Sequence, residues 1–221
     1  MRTTATINND GYEAPMGVTA DPAIFTVKDD SLAVLLTRRV EPPAKGRWAL
    51  PGGFVASSES SRDTAARKLT EKTGIPAVYV AQLGVYDQPG RDPRGWVLSA
   101  AYVALVPSGL LPADAADRVS AWHPVAELPR LPFDHNQIVS DGVAYLRERL
   151  WRSALAASLV PPDFTLRQLA VVFSAIDGRD YRRLDNFSRR LMRAELIEAT
   201  GGRARVQGKG GPRPRLFRFT A

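Results

Sequence analysis

The run Trp48-Ala49-Leu50-Pro51-Gly52-Gly53-Phe54-Val55, followed closely by Ser60 to Thr73, constrains this chain more than any other part of it. A Pro-Gly-Gly turn between two short apolar pieces predicts a strand, a tight reversal and a second strand. The segment after it predicts a helix: Ser61 stands where a cap belongs, Ala65, Ala66 and Leu69 form an apolar stripe, and Gly74 stops it. Charge is concentrated on the same segment, in Glu59, Arg67, Lys68, Glu71 and Lys72. Positions 68, 71 and 72 are adjacent or one turn apart, so they project from one helix face. Arg67 is spaced to pair with Glu71 at i,i+4.

The flanking elements are consistent with a helix laid on a sheet. Ile24 to Val27 and Leu32 to Thr37 surround Lys28-Asp29-Asp30-Ser31 and predict a hairpin. Val78 to Tyr86 and Trp96 to Val106 predict two strands joined by the polar loop Gln88 to Gly95, and Val119 to Trp122 a last short strand. Asp134 to Trp151 predicts a long amphipathic helix, with Ile138, Val143, Leu146 and Leu150 towards one side and Asp134 as its cap. This order predicts a mixed sheet with helices on both faces, of α/β (α+β) class. Residues 1–20 are expected to be a mobile arm and 21–155 one domain. A linker is expected at 152–164, where Pro161-Pro162-Asp163 falls. In residues 156–221, helices Thr165 to Ile176 and Asn186 to Ala194 precede strand pieces Leu196 to Ala199 and Leu216 to Phe219, which bracket a Gly- and Arg-rich tip. That is the pattern of a small winged helix-turn-helix.

Charge separates the two parts. Residues 1–155 carry 17 basic and 17 acidic residues and are neutral, whereas residues 156–221 carry 13 basic and 6 acidic and hold the whole net charge of +7. A neutral body with a basic end suits a sensor joined to a nucleic-acid reader. The absence of cysteine excludes disulfides, thiolate zinc sites and cysteine nucleophiles. Two histidines, His123 and His135, are too few for a histidine-built metal site, and no metal or cofactor is expected. Residues 1–20 contain no apolar signal core. Apolar runs such as Leu32 to Leu36 are too short to span a bilayer, so a cytoplasmic chain with no membrane partner is expected.

Gly53-(x5)-Glu59-(x7)-Arg67-Lys68-Leu69-Thr70-Glu71-Lys72-Thr73-Gly74-Ile75 resembles the Nudix box at its full spacing, matching it at Gly53, Glu59, Arg67, Leu69, Glu71, Gly74 and Ile75. Lys68 and Lys72 stand where that family has glutamates. The family's carboxylate cluster holds magnesium, a hard cation that takes oxygen ligands, and the metal positions the attacking water. Lys-Glu-Lys in place of three glutamates changes the local charge from −3 to +1. Each lysine opposes a nearby unit positive charge by about 4 kcal/mol at ~4 Å and an effective dielectric of about 20. The box is therefore expected to be catalytically degenerate. Lys68 and Lys72 either contact ligand phosphate or form a solvated face.

Gln82-Leu83-Gly84, Gly90 to Trp96, Trp122-His123-Pro124-Val125, Leu128-Pro129 and Leu131-Pro132-Phe133-Asp134-His135 resemble segments of Nudix proteins that bind or act on ADP-ribose. Arg91 and Arg94 offer planar forks for phosphate or ribose, Asp92 is placed to orient one of them, and Phe54 adjoins the box. The terminal region, Asp185 to Met192 with Leu196-Ile197 and Pro212 to Arg218, resembles that of the Nudix-related repressors of NAD metabolism, the NrtR family. The combined likeness runs from about residue 20 to the C-terminus. Asn186 to Ala194 is then the recognition helix, with Phe187, Leu191 and Ala194 inward and Asn186, Ser188, Arg189, Arg190 and Arg193 available to DNA. Arg203, Arg205, Lys209, Arg213 and Arg215 on the wing suit phosphate or a minor groove.

The resemblance implies a homodimer on a pseudo-palindromic operator, with ADP-ribose or a related nucleotide modulating repression of NAD synthesis or salvage genes. The competing expectation is an active Nudix ADP-ribose pyrophosphatase that carries a nucleic-acid-binding domain.

Overall fold

In a computed structural model, residues 15–74, 79–107, 119–181, 184–204 and 213–220 are described. Strands β1 (Gly17–Lys28) and β2 (Ser31–Arg38) form an antiparallel hairpin. Its two-residue turn uses Asp29 and Asp30 at φ 49° and 58°, a left-handed pair of the kind that matches strand twist. Then come β3 (Trp48–Ala49), β4 (Gly53–Phe54), helix α1 (Ser61–Thr73), β5 (Tyr79–Tyr86), β6 (Val97–Leu105), β7 (Ser120–Pro124) and helix α2 (His135–Arg149). The order β3-β2-β1-β6-β5, with β4 on β1 and β7 on β2, makes one seven-stranded sheet. β1 and β6 run parallel down its middle and the other pairs are antiparallel.

Strand alternation assigns the two faces. Ile24, Leu35, Ala104 and Val106 close around Leu69 of α1, while Ala20, Ala100 and Tyr102 meet Ala65. Phe25, Val34, Val103 and Leu105 turn the other way, towards Ile138, Val143 and Leu146 of α2. A Cβ at Gly142 would lie 2.9 Å from Phe25, so glycine sets how closely α2 approaches the sheet. The mixed α/β/α sandwich expected from the element order is the fold.

Four local expectations are corrected. The N-cap of α1 is Ser60, not Ser61, because Ser60 and Asp63 complete a capping box. Gly17 to Ala20 belong to β1 rather than to an arm, since they pair with Val97 to Ala100; residues 1–14 lie outside the described residues. Asp134 accepts no capping hydrogen bond; its carboxylate faces Arg91 instead. The expected linker is packed: a 3-10 helix, Ala154–Leu159, buries Leu155, Ala156 and Leu159 in the same core as α2.

The C-terminal part is β8 (Phe164–Thr165), α3 (Leu166–Asp177), α4 (Leu184–Arg193), β9 (Ile197–Arg203) and β10 (Arg215–Phe219), with strand order β8-β10-β9. β8 is an addition, and α4 begins two residues earlier than its sequence pattern indicates. Trp151, just past α2, sits edge-on to Phe173 at 4.8 Å and Phe187 at 5.9 Å. Arg147 of α2 donates to the Ile176 carbonyl at 2.9 Å. One apolar core therefore continues from the sheet through α2 into α3 and α4.

Candidate ligand pocket and nucleic-acid interface

The box helix carries a network of exposed ion pairs. Arg67 bridges Glu59 and Glu71, at 2.8 Å to Glu71, and Lys68 takes the other Glu71 oxygen at 2.8 Å. Hydrogen bonding from Arg67 lowers the Glu59 carboxyl below its usual range, and Lys68 and then Arg67 lower Glu71. Lys68 also covers the glycine turn: its Cε lies 3.0 Å from where a Cβ on Gly53 would be. Lys72 is exposed on the same helix. Neither lysine lines the neighbouring cavity.

That cavity, of about 190 Å³, opens between the glycine turn, the start of β1 and the loop after β5. Gly53, Phe54, Arg91, Asp92 and Arg94 line it, bringing together residues the sequence had placed in separate segments. Thr19, Asp21, Arg39, Phe133 and His135 also line it; sequence reasoning had assigned none of them to a ligand. The signals were the resemblance of the segment holding Phe133 and His135, and Asp21, a lone acid opening the apolar run Pro22 to Phe25.

The two loop arginines differ. Arg94 is held by Asp92 at 2.6 Å and lies 4.9 Å over the Phe54 ring, with its side chain a third exposed. Burial raises the Asp92 carboxyl, but the bonds from Arg94 outweigh it, and the net shift is downward. Arg91 is not the open fork expected: Asp134 grips it with two 2.7 Å bonds and its side chain is 4% exposed. Across the pocket, Arg39 lies 5.1 Å over Phe133, and burial, then the charge of Arg94, lower its pKa. His135 is buried and accepts from the Leu50 amide at 3.0 Å through Nδ1. Burial lowers its pKa and keeps the ring neutral. His123 stacks edge-on to Trp48 at 4.8 Å and does not line the pocket.

On α4, Phe187 and Leu191 are buried, whereas Asn186, Arg189 and Arg193 fall on the outer face. Asn186 accepts from Arg189 at 2.9 Å, and Ser188 is half-buried. Arg190 is also exposed but lies 3.6 Å over the Trp151 ring, and Ala194 is exposed rather than inward. In the wing, Arg203 and Arg215 are directly opposite across β9 and β10, and Arg203 donates to the Arg213 carbonyl at 2.9 Å. Like charges so placed destabilise a hairpin unless an anion lies against them. Arg205 and Lys209 lie outside the described residues.

The NUDIX domain family matches residues 19–142, and the NrtR DNA-binding winged helix domain matches residues 156–219. The chain is 35% identical over 214 residues to the ADPR responsive transcriptional repressor NtrR of Acinetobacter baylyi, covering 94% of this chain and 83% of that one. It is 39% identical over 108 residues to an ADP-ribose pyrophosphatase of Methanocaldococcus jannaschii, covering 49% of this chain and 64% of the enzyme. The structure of Shewanella oneidensis NrtR complexed with a 27mer DNA superposes with a TM-score of 0.80 at 31% identity, over 92% of this chain and 93% of that one. With both domains matched in order, the chain belongs to the NrtR family of NUDIX-domain proteins with a DNA-binding winged helix.

Proposed function

We propose that this protein is a transcriptional repressor whose Nudix domain binds ADP-ribose and whose winged helix holds a pseudo-palindromic operator as part of a homodimer, in the cytoplasm. One observation carries the reading: the likeness to an ADP-ribose-responsive repressor spans sensor and reader together. Arg189 and Arg193, with Asn186, read base edges, because arginine pairs bidentately with guanine and asparagine with adenine. Ser188 supports them. Arg203, Arg213 and Arg215 contact phosphate, with Arg205 and Lys209 in the same role. Arg190, stacked on Trp151, ties the reading helix to the end of α2.

Hydrolysis is absent or vestigial in this proposal. Nudix chemistry implies magnesium, and the donor set of α1 does not fit it. Two box positions are lysines, and both remaining glutamates are held by Arg67 or Lys68. Among the described residues no three of His, Asp and Glu converge on one point. The kinship with a pyrophosphatase favours a second reading, an active Nudix ADP-ribose pyrophosphatase that carries a nucleic-acid-binding domain. Magnesium-dependent release of AMP at about 1 per second or more would establish that reading and overturn degeneracy.

The test is a gel-shift titration on DNA upstream of NAD synthesis or salvage genes, adding ADP-ribose, NAD and nicotinamide mononucleotide in turn. ADP-ribose is expected to change operator affinity at concentrations where the others do not. An operator complex indifferent to all three overturns the effector assignment.

A further inference from the structure

Resting on the reading that ADP-ribose in the Nudix domain changes operator affinity, we propose that α2 carries this effect to the winged helix. Trp151 is the positioning residue through which it does so. The first reason is where α2 begins. His135, its first residue, lines the cavity. Asp134, immediately before it, holds Arg91 of the pocket loop with two 2.7 Å bonds. A ligand seated in the cavity therefore touches groups to which the first turn of α2 is fastened.

The second reason is that α2 moves as one body. Its 15 residues contain no proline, and at ~1.5 Å per residue such a helix spans about 22 Å. Ile138, Val143 and Leu146 are buried along its length. A packed helix passes a displacement of one end on to the other, which a loop would absorb.

The far end of α2 grips the reader. Arg147 in its last turn donates to the Ile176 carbonyl at 2.9 Å, near the end of α3. Two residues beyond the helix, the Trp151 ring lies edge-on to Phe173 of α3 at 4.8 Å and to Phe187 of α4 at 5.9 Å. Arg190 of α4 lies over the same ring at 3.6 Å. One indole thus sets the position of both winged-helix helices, including the one that carries Asn186, Arg189 and Arg193.

The other route from the pocket runs along β1 to the turn at Asp29 and Asp30. It ends at a groove of about 800 Å³ between that turn and α3, lined by Val27, Leu159 and Val171 among others. Open space there absorbs a shift of the strand instead of passing it on. It also leaves α3 and α4 room to turn about the end of α2.

The test measures operator affinity of the full chain with and without saturating ADP-ribose, on the same upstream DNA, for the unaltered protein and Trp151→Leu. In the unaltered protein ADP-ribose is expected to change that affinity at least about fivefold, the low end of ordinary coupling between sites. Trp151→Leu should bring the ratio below about twofold, and by reciprocity the effect of operator on ADP-ribose affinity falls with it. Calorimetry without DNA should find ADP-ribose affinity within about twofold of the unaltered chain, as for a distant site with no shared partner. A variant that loses operator affinity but keeps the full ratio makes Trp151 merely structural and overturns the proposal. A ratio near one in the unaltered chain overturns the effector reading itself. Should Trp151→Leu fail to fold or to hold DNA, amide hydrogen exchange on the unaltered chain decides. ADP-ribose should alter exchange at residues 146–151 and 187–193 in the absence of DNA, and unchanged exchange at either segment overturns the route.

Discussion

The arginines of the box helix and pocket loop are used in the opposite way to those of the wing hairpin. In the Nudix half, Arg67, Arg91 and Arg94 each end on a carboxylate of the same chain. In the winged-helix half, Arg179 pairs with Asp177 and Arg218 with Asp163, but Arg203 and Arg215 face one another, and Arg193 and Arg213 make no ion pair among the described residues. A guanidinium paired internally ties segments together and loses part of its capacity to bind anything else. One left among like charges costs some folding stability and gains it back when a polyanion arrives. The pocket loop and the wing hairpin therefore differ in where the acids are rather than in where the arginines are.

The largest expected effect is on the buried pair. Arg91→Met leaves Asp134 without its partner and should destabilise the protein by about 3–5 kcal/mol, measured by urea unfolding. A loss below about 1 kcal/mol would show that the pair is solvated like a surface one, and the contrast with the wing hairpin would fail. In the reader the effect moves from stability to binding. Arg189→Ala or Arg193→Ala should cost about 1–3 kcal/mol on the operator and flatten discrimination against scrambled DNA. Arg215→Ala should weaken both duplexes alike and lower the salt slope by about one unit. Stability should change by no more than about 0.5 kcal/mol in these reader variants. Equal losses on both duplexes for the helix variants would move the base-reading face elsewhere.

A smaller effect is expected from pH. His135 has a folded pKa below its unfolded value of about 6.5 because it is buried. Its stabilising contribution is complete above that value and is lost as pH falls towards the folded pKa. His135→Asn should remove this slope in unfolding curves between about pH 6.5 and 5; a slope that persists would assign it to another group. Asp92 is also depressed, so its contribution is lost in a separate, more acid window. The smallest change is Glu71→Gln, which cuts an exposed network. About 0.5 kcal/mol or less is expected, vanishing in high salt.

Much of the fold could be read without coordinates because its signals are local. The β1–β2 hairpin, the Gly74 stop of α1 and the buried stripe of α2 follow from turn chemistry and side-chain period, which act over a few residues. The loop residues Arg91, Asp92 and Arg94, with Phe54, were legible as candidates by type and by resemblance, and they do line one cavity. Their states were not legible. Arg91 meets Asp134 across 43 positions of sequence, and no local pattern announces such a pair. Arg190 is exposed as its residue type suggests, but its contact with Trp151, 39 positions earlier, is equally beyond local pattern; a guanidinium stacks well on an indole face.

The sequence by itself determined the order of elements, the segregation of all +7 charges into the last 66 residues, and the two lysines in the box. These are properties of residue identity and near-neighbour spacing, so they are complete before the chain folds. Only the tertiary structure decided which charges cancel and which remain for a partner. It also decided that the expected linker is core, and that Asp21 of β1 meets Gly52 of a turn 31 residues later. Those outcomes rest on contacts between distant segments. Burial then sets their energetics, since a group's charge, hydrogen bonds and availability change once water is removed from it.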